Sequence, residues 1–183
     1  MSSLSTLQHR RHSARTHRGL VREINEDAVL ARPDIGVWVV SDGMGGHVGG
    51  DLASQAVIEA VAALPSDLEP AAVMQAARAA VHAAHTTIVE EAARQGNVTI
   101  GATVVLLVLA EEHFACLWAG DSRLYRLRDG MLVMISVDHS VVGELVEAGR
   151  LTWAEAEKHP AANQITRAVG IGETLELDKR RGD

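Results

Sequence analysis

Between Thr99 and Ser136 the chain passes through four apolar runs: "TIGATVVLLVLA" (99–110), "HFACLWAG" (113–120), "RLYRLRDG" (123–130) and "MLVMIS" (131–136). Only short polar pieces separate them, "EEH", "GDS" and "RDG". A parallel crossover needs about a dozen residues or more, so strands joined this tightly pair antiparallel. Asp129-Gly130 strengthens the reading, because a two-residue hairpin turn needs residues that tolerate positive φ. This stretch predicts an antiparallel meander.

Upstream the period changes. "IGVWVVSD" (35–42) is a short apolar run ending in an acid and reads as a buried strand. From Asp51 to Leu64 the residues Leu52, Ala56, Val57, Ala60, Val61 and Leu64 recur at helical spacing, and Pro65 ends the helix. A second helix starts near Pro70, a residue suited to the first turn, and runs through Val73, Ala77, Val81, Ala84 and Ile88 to a stop at Gln95–Asn97. Its alanine-rich face suits close packing on a sheet. Helical patterning returns at 141–148, and Thr152 with Glu155 three residues on forms a capping box. "ITRAVG" and "LELD" read as short closing strands. The order predicts helices layered on antiparallel sheet.

The 183 residues suit a single domain, and only five are aromatic, so the core is expected to be mostly Val, Leu, Ile and Ala. A net charge of -7 argues against a general nucleic-acid binder, although Arg10, Arg11, Arg15, Arg18 and Arg22 all precede the first acid, Glu23. No apolar segment approaches the roughly 18 residues of a membrane span, and "MSSLSTLQHRRHSARTH" lacks the apolar stretch of a secretory signal. A cytoplasmic protein is expected. The lone Cys116, within "FACLWAG", reads as a buried inert thiol.

"SDGMGGHVGGDLAS" (41–54) follows a strand, opens a helix and carries glycines at 43, 45, 46, 49 and 50. It is not a dinucleotide loop. The pattern G-x-G-x-x-G from Gly43 would need glycine where Val48 stands, and Asp42 would repel a pyrophosphate. A divalent cation between Asp42 and a phosphate removes the conflict, because hard cations take carboxylate, carbonyl and water oxygens. Other acids stand in similar places: Glu26 and Asp27 in "VREINEDAVL", with Arg22 four residues ahead of Glu26, Asp121 in "AGDSRLY", and Asp138 in "SVDHSV". Each alone is an ordinary turn or cap residue. Recurring at strand ends in one small domain, they are candidate ligands.

"GLVREINEDAVL", "VVSDGMGGHVGGDLAS", "GATVVLLVL", "WAGDSRLYRLRDG", "DHSVVGELVEAG" and "ITRAVG", in this order, closely resemble the PPM family, the metal-dependent type-2C serine/threonine protein phosphatases, in its compact bacterial form. The resemblance runs from about 13 to 170. It implies an α/β fold, a layered sandwich of two antiparallel β-sheets flanked by helices, with two Mg²⁺ or Mn²⁺ ions at one end. It implies that Asp42 bridges both ions, that the Gly43 carbonyl binds one, that Glu26 and Asp27 hold metal-bound waters, and that Asp121 helps hold a third. Arg22 would bind the substrate phosphate, and residues 138–170 would form a flap with Asp138 beside the substrate. The implied activity is hydrolysis of phosphoserine and phosphothreonine in proteins by metal-activated water, which needs no nucleophile from Cys116. Met44 stands where animal members carry a histidine, so the general acid is either His47 or, as the alternative, a metal-bound water.

The family pattern continues beyond "LDKRRGD" (177–183) with two further metal-binding aspartates and closing strands. The expectation is therefore a sandwich lacking its C-terminal strands, with an open sheet edge, apolar faces exposed on 104–109 and 117–118, weak Mn²⁺ binding and a tendency to associate. The complete domain would be a monomer. Two functions remain: the phosphatase, or a catalytically weak or inactive phosphatase-like module that binds a partner through its flap.

Overall fold

The computed structural model describes residues 11–45, 49–110 and 112–183. Its strands and helices are β1 (Asp27–Arg32), β2 (Val37–Met44), α1 (Gly49–Ala62), α2 (Pro70–Arg94), β3 (Gly101–Ala102), β4 (Val104–Ala110), β5 (His113–Ala119), β6 (Tyr125–Arg128), β7 (Met131–Met134), α3 (Val141–Glu147), α4 (Trp153–Ala156) and β8 (Asp178–Gly182). The large sheet runs β1-β2-β4-β5-β8, with β3 extending the pairing of β2. Every pairing is antiparallel. β6 and β7 form a separate hairpin, closed by Asp129 (φ 52°) and Gly130 (φ 75°).

Strand alternation separates two faces. Val37 and Val39 of β2, Val104, Leu106 and Val108 of β4, and Leu117 and Ala119 of β5 face one core with α1 and α2. From α2 the buried stripe is Val73, Ala77, Val81, Ala84 and Ile88, the helical spacing that lets one face lie on a sheet. Small side chains at 77 and 84 allow the close approach. On the other face Val105, Cys116 and Trp118 pack against Ile135 beside the hairpin, so Cys116 is buried as expected.

Three details depart from the sequence reading. The run 99–110 is interrupted at Thr103, which divides β3 from β4. "ITRAVG" contributes two isolated bridges, Val169 to Ala102 and Ile165 to Ser140, rather than a strand. The last strand begins beyond "LEL": Leu175 and Leu177 enter the core, and "DKRRG" pairs along β5 from Trp118 to Phe114.

That pairing corrects the expected exposure. Val104, Val105, Leu106, Val108, Leu117 and Trp118 are all buried, because helices, hairpin and β8 cover them. Exposed apolar side chains lie on the hairpin, where Leu127, Met131 and Leu132 are 70%, 67% and 65% exposed, and in the segment before β1, at Leu20 and Val21. β8 forms the edge, with Lys179, Arg180 and Arg181 exposed. Among the described residues no helix is long and apolar enough to cross a membrane.

Candidate metal centre

The register of β1 on β2 sets Asp27 directly opposite Asp42. Just beyond, the Gly43 N–H donates to the Glu26 carbonyl at 3.0 Å, which brings Glu26 to the same end of the pair. α1 then starts hard against β2. A Cβ on Gly43 would overlap the Gly50 carbonyl, and one on Gly50 would overlap the Glu26 carboxylate. These two glycines thus serve a close crossing of backbones.

The backbone of Asp42 is held by Thr103. Its N–H donates to Thr103 Oγ1 at 3.0 Å, and its carbonyl accepts the Thr103 N–H at 2.8 Å. Thr103 Oγ1 lies 2.6 Å from Ser122 Oγ, in the turn that carries Asp121. Three segments of chain therefore meet.

Their charges meet as well. The Asp42 carboxyl is pushed up to about 6, first by burial of its inner side, then by the charges of Asp27 and Asp121, a hydrogen bond with Asp27, and Glu26. Asp121 is also raised, chiefly by burial, with the Asp138 charge adding to it. Clustered carboxylates that oppose one another's ionisation suit a hard divalent cation. Among the described residues, no three acidic, imidazole or thiol groups close into a ready ligand cage.

Beside Asp121 opens a cavity of about 470 Å³, lined among others by Arg123, Ser140, Trp153 and Glu157. Asp138 lies in its wall but is only 4% exposed, and its carboxylate takes a forked pair of bonds from Arg123 at 2.9 and 2.6 Å. The Arg123 guanidinium stacks over Trp153 at 4.3 Å. Asp138, expected beside a substrate, thus spends its charge on Arg123. Next to it, His139 Nδ1 accepts the Gly120 N–H at 3.2 Å, so the neutral ring carries its proton on Nε2, which faces Asp178 at 3.3 Å. Burial, with Arg167 adding to it, lowers the His139 pKa and keeps the ring neutral. Burial alone would raise the Asp178 carboxyl, but its bonds to Arg167 and His139 together hold it below the usual range.

Of the residues expected from sequence, the fold gathers Glu26, Asp27, Asp42, Gly43 and Asp121. Arg22 is exposed in the segment before β1. His47 lies outside the described residues. Sequence reasoning passed over Thr103, Ser122 and Arg123. The last two sit inside the "GDSR" turn already singled out, and Thr103 is the one hydroxyl in "GATVVLLVL".

A profile of the protein phosphatase 2C family matches residues 14–171. The chain belongs to this family. The serine/threonine protein phosphatase PstP of Mycobacterium tuberculosis is 39% identical over 160 residues, covering 87% of this chain and 31% of that protein. PppA, a key regulatory component of T6SS in Pseudomonas aeruginosa, superposes with a TM-score of 0.82 at 42% identity, covering 91% of this chain and 69% of that one. The catalytic domain of PstP in complex with two manganese ions superposes with a TM-score of 0.82 at 36% identity, covering 94% and 71%. This phosphatase 2C chain therefore spans about a third of the length of the mycobacterial relative and about seven-tenths of the solved domains.

Proposed function

We propose that this chain forms the core of a metal-dependent protein phosphatase acting on phosphoserine and phosphothreonine in proteins. The observation that carries the reading is the convergence of Glu26, Asp27 and Asp121 on Asp42, whose carboxyl is raised to about 6 by burial and these acids together. Asp42, the Gly43 carbonyl and Asp121 would hold Mg²⁺ or Mn²⁺ directly, and Glu26 and Asp27 through water. Cations bound there supply a water nucleophile at neutral pH and offset the phosphate charge. Arg22 would bind the phosphate oxygens, His47 is the candidate to protonate the leaving oxygen, and residues 138–170 would form the flap beside the site. Both ends of that flap are fastened to the core: His139 N–H donates to the Gly120 carbonyl at 3.0 Å, and Val169 bridges Ala102. A single buried thiol fits a reducing, cytoplasmic setting.

Hydrolysis of a phosphothreonine peptide tests the reading. Turnover should require Mn²⁺ or Mg²⁺, stop with chelator, and survive Cys116→Ser. Persistence in chelator would overturn it. That no three ligating groups close into a cage among the described residues favours one other reading, a weakly active or inactive module that binds a partner through its flap. Mn²⁺-dependent capture of the peptide without turnover would select it.

Arg22→Ala removes a charge-assisted phosphate contact worth roughly 1.5–3 kcal/mol. kcat/KM should fall by about 10- to 100-fold with Mn²⁺ affinity unchanged. A collapse of Mn²⁺ affinity would instead make Arg22 structural.

A further inference from the structure

Asp42 and Asp121 do not sit on neighbouring strands. Asp42 is on β2 and Asp121 follows β5, while β4 lies between those strands in the sheet. Something at the head of β4 must set the distance between them, and Thr103 stands there.

β2 keeps one register past this point. Val40 faces Val105 and Gly43 faces Ala102, which places Asp42 opposite Thr103. At that rung the usual exchange of two backbone hydrogen bonds is only half made. The Thr103 N–H donates to the Asp42 carbonyl at 2.8 Å, but the Asp42 N–H donates to the Thr103 hydroxyl at 3.0 Å. The Thr103 carbonyl accepts the Ser41 hydroxyl at 2.7 Å instead. A side chain has replaced backbone at the residue that carries the central carboxylate.

The same hydroxyl reaches Ser122 at 2.6 Å. Thr103 is 1% exposed, so its proton needs a protein partner. Its oxygen already accepts from Asp42. Donating to Ser122 satisfies the proton, whereas the reverse polarity would leave it buried and unpaired. The turn also presses on Thr103 directly: at Gly120 (φ +107°) a Cβ would stand 2.6 Å from Thr103 Cγ2.

We propose that Thr103 is a positioning residue of the acidic site, whose hydroxyl, shared between the Asp42 backbone and Ser122, fixes Asp42 relative to Asp121. This rests on the reading that both carboxylates belong to one acidic site that takes divalent cations. Thr103→Val keeps the branched shape and removes the hydroxyl, and Ser122→Ala removes its partner.

Mn²⁺ binding, followed by electron paramagnetic resonance of free Mn²⁺, is measured alongside unfolding of the metal-free proteins. Thr103→Val and Ser122→Ala should each weaken Mn²⁺ binding about tenfold, the lower end of what residues supporting a metal ligand contribute. Thr103→Ser should restore it to within about twofold, and the double variant should be no weaker than Thr103→Val alone, as expected of partners in one network. A Thr103→Val protein that unfolds earlier yet binds Mn²⁺ as the wild type does would overturn the proposal. If that variant does not fold, Ser122→Ala decides, and unchanged affinity there overturns it. Asp42→Asn separates the two ideas: if it binds Mn²⁺ as well as the wild type, the cation-site reading fails and the positioning role with it.

Discussion

Asp42→Asn is expected to stabilise the metal-free protein and to lower Mn²⁺-dependent hydrolysis by about a thousandfold. The two effects have one cause. The fold raises this carboxyl from 3.8 to about 6 by partial burial and by the acids around it, so it resists ionisation there. The stability contributed by the proton is fully present below the ordinary carboxylate pKa and is lost as pH rises through about 6. Asparagine carries no charge at any pH. Its advantage should therefore be absent below about pH 4, grow as pH rises and be complete above about pH 6. The carboxylate reaches solvent, so screening reduces the gain to about 1 kcal/mol, or about 2–4 °C for a domain of this size. With cation present the order reverses, because the lost charge removes a ligand worth several kcal/mol of charge stabilisation. Thermal unfolding in chelator at pH 7.5 and at pH 4.5 checks the first half, and turnover in Mn²⁺ checks the second. Equal destabilisation at both pH values would mean that Asp42 serves the fold rather than the cation.

Gly43→Ala should damage fold and site together. The added methyl meets the carbonyl oxygen and carbon of Gly50, backbone that opens α1 and cannot rotate aside. The Glu26 carboxylate crowds the same side of Gly50, so the crossing has no spare room. The cost belongs at the upper end of the roughly 1–3 kcal/mol of overpacking, or beyond it, and the unfolding temperature should drop by about 6–12 °C. Relief comes only by parting α1 from β2, which moves Glu26 against Asp42. A shift of about 1 Å at a reacting centre can lower the rate about a hundredfold. Unfolding temperature and turnover, measured on the same preparation, check both. A variant as stable as the wild type would show that the crossing is looser than the structure has it.

The antiparallel meander and both long helices were legible because each rests on a local rule. The breaks at 111–113 and 121–122 are too short for crossovers, and the stripe from Val73 to Ile88 keeps a helical period. β8 was not legible. "DKRRG" has no apolar alternation, and its pairing with β5 is made by backbone groups that no side-chain pattern announces. The acids could be picked out one by one, since each stood at a strand end. What they do depended on partners distant in sequence. Asp138 is claimed by Arg123 fifteen residues earlier, and Asp42 is held by Thr103 sixty-one residues later. A hydroxyl in an apolar strand was the only mark of the second.

The charged edge strand also sets what a second copy of the chain meets at that side. If two copies joined their sheets through β8 in antiparallel fashion about Arg180, Lys179 of each would face Arg181 of the other, and the two Arg180 side chains would face each other. Like charges directly opposite on paired strands repel, and a basic edge is a standard barrier to sheet growth. At neutral pH and low salt these charges oppose that pairing of two copies. Raising the ionic strength should weaken that barrier, so light scattering from a concentrated solution should rise with salt if this edge is the contact.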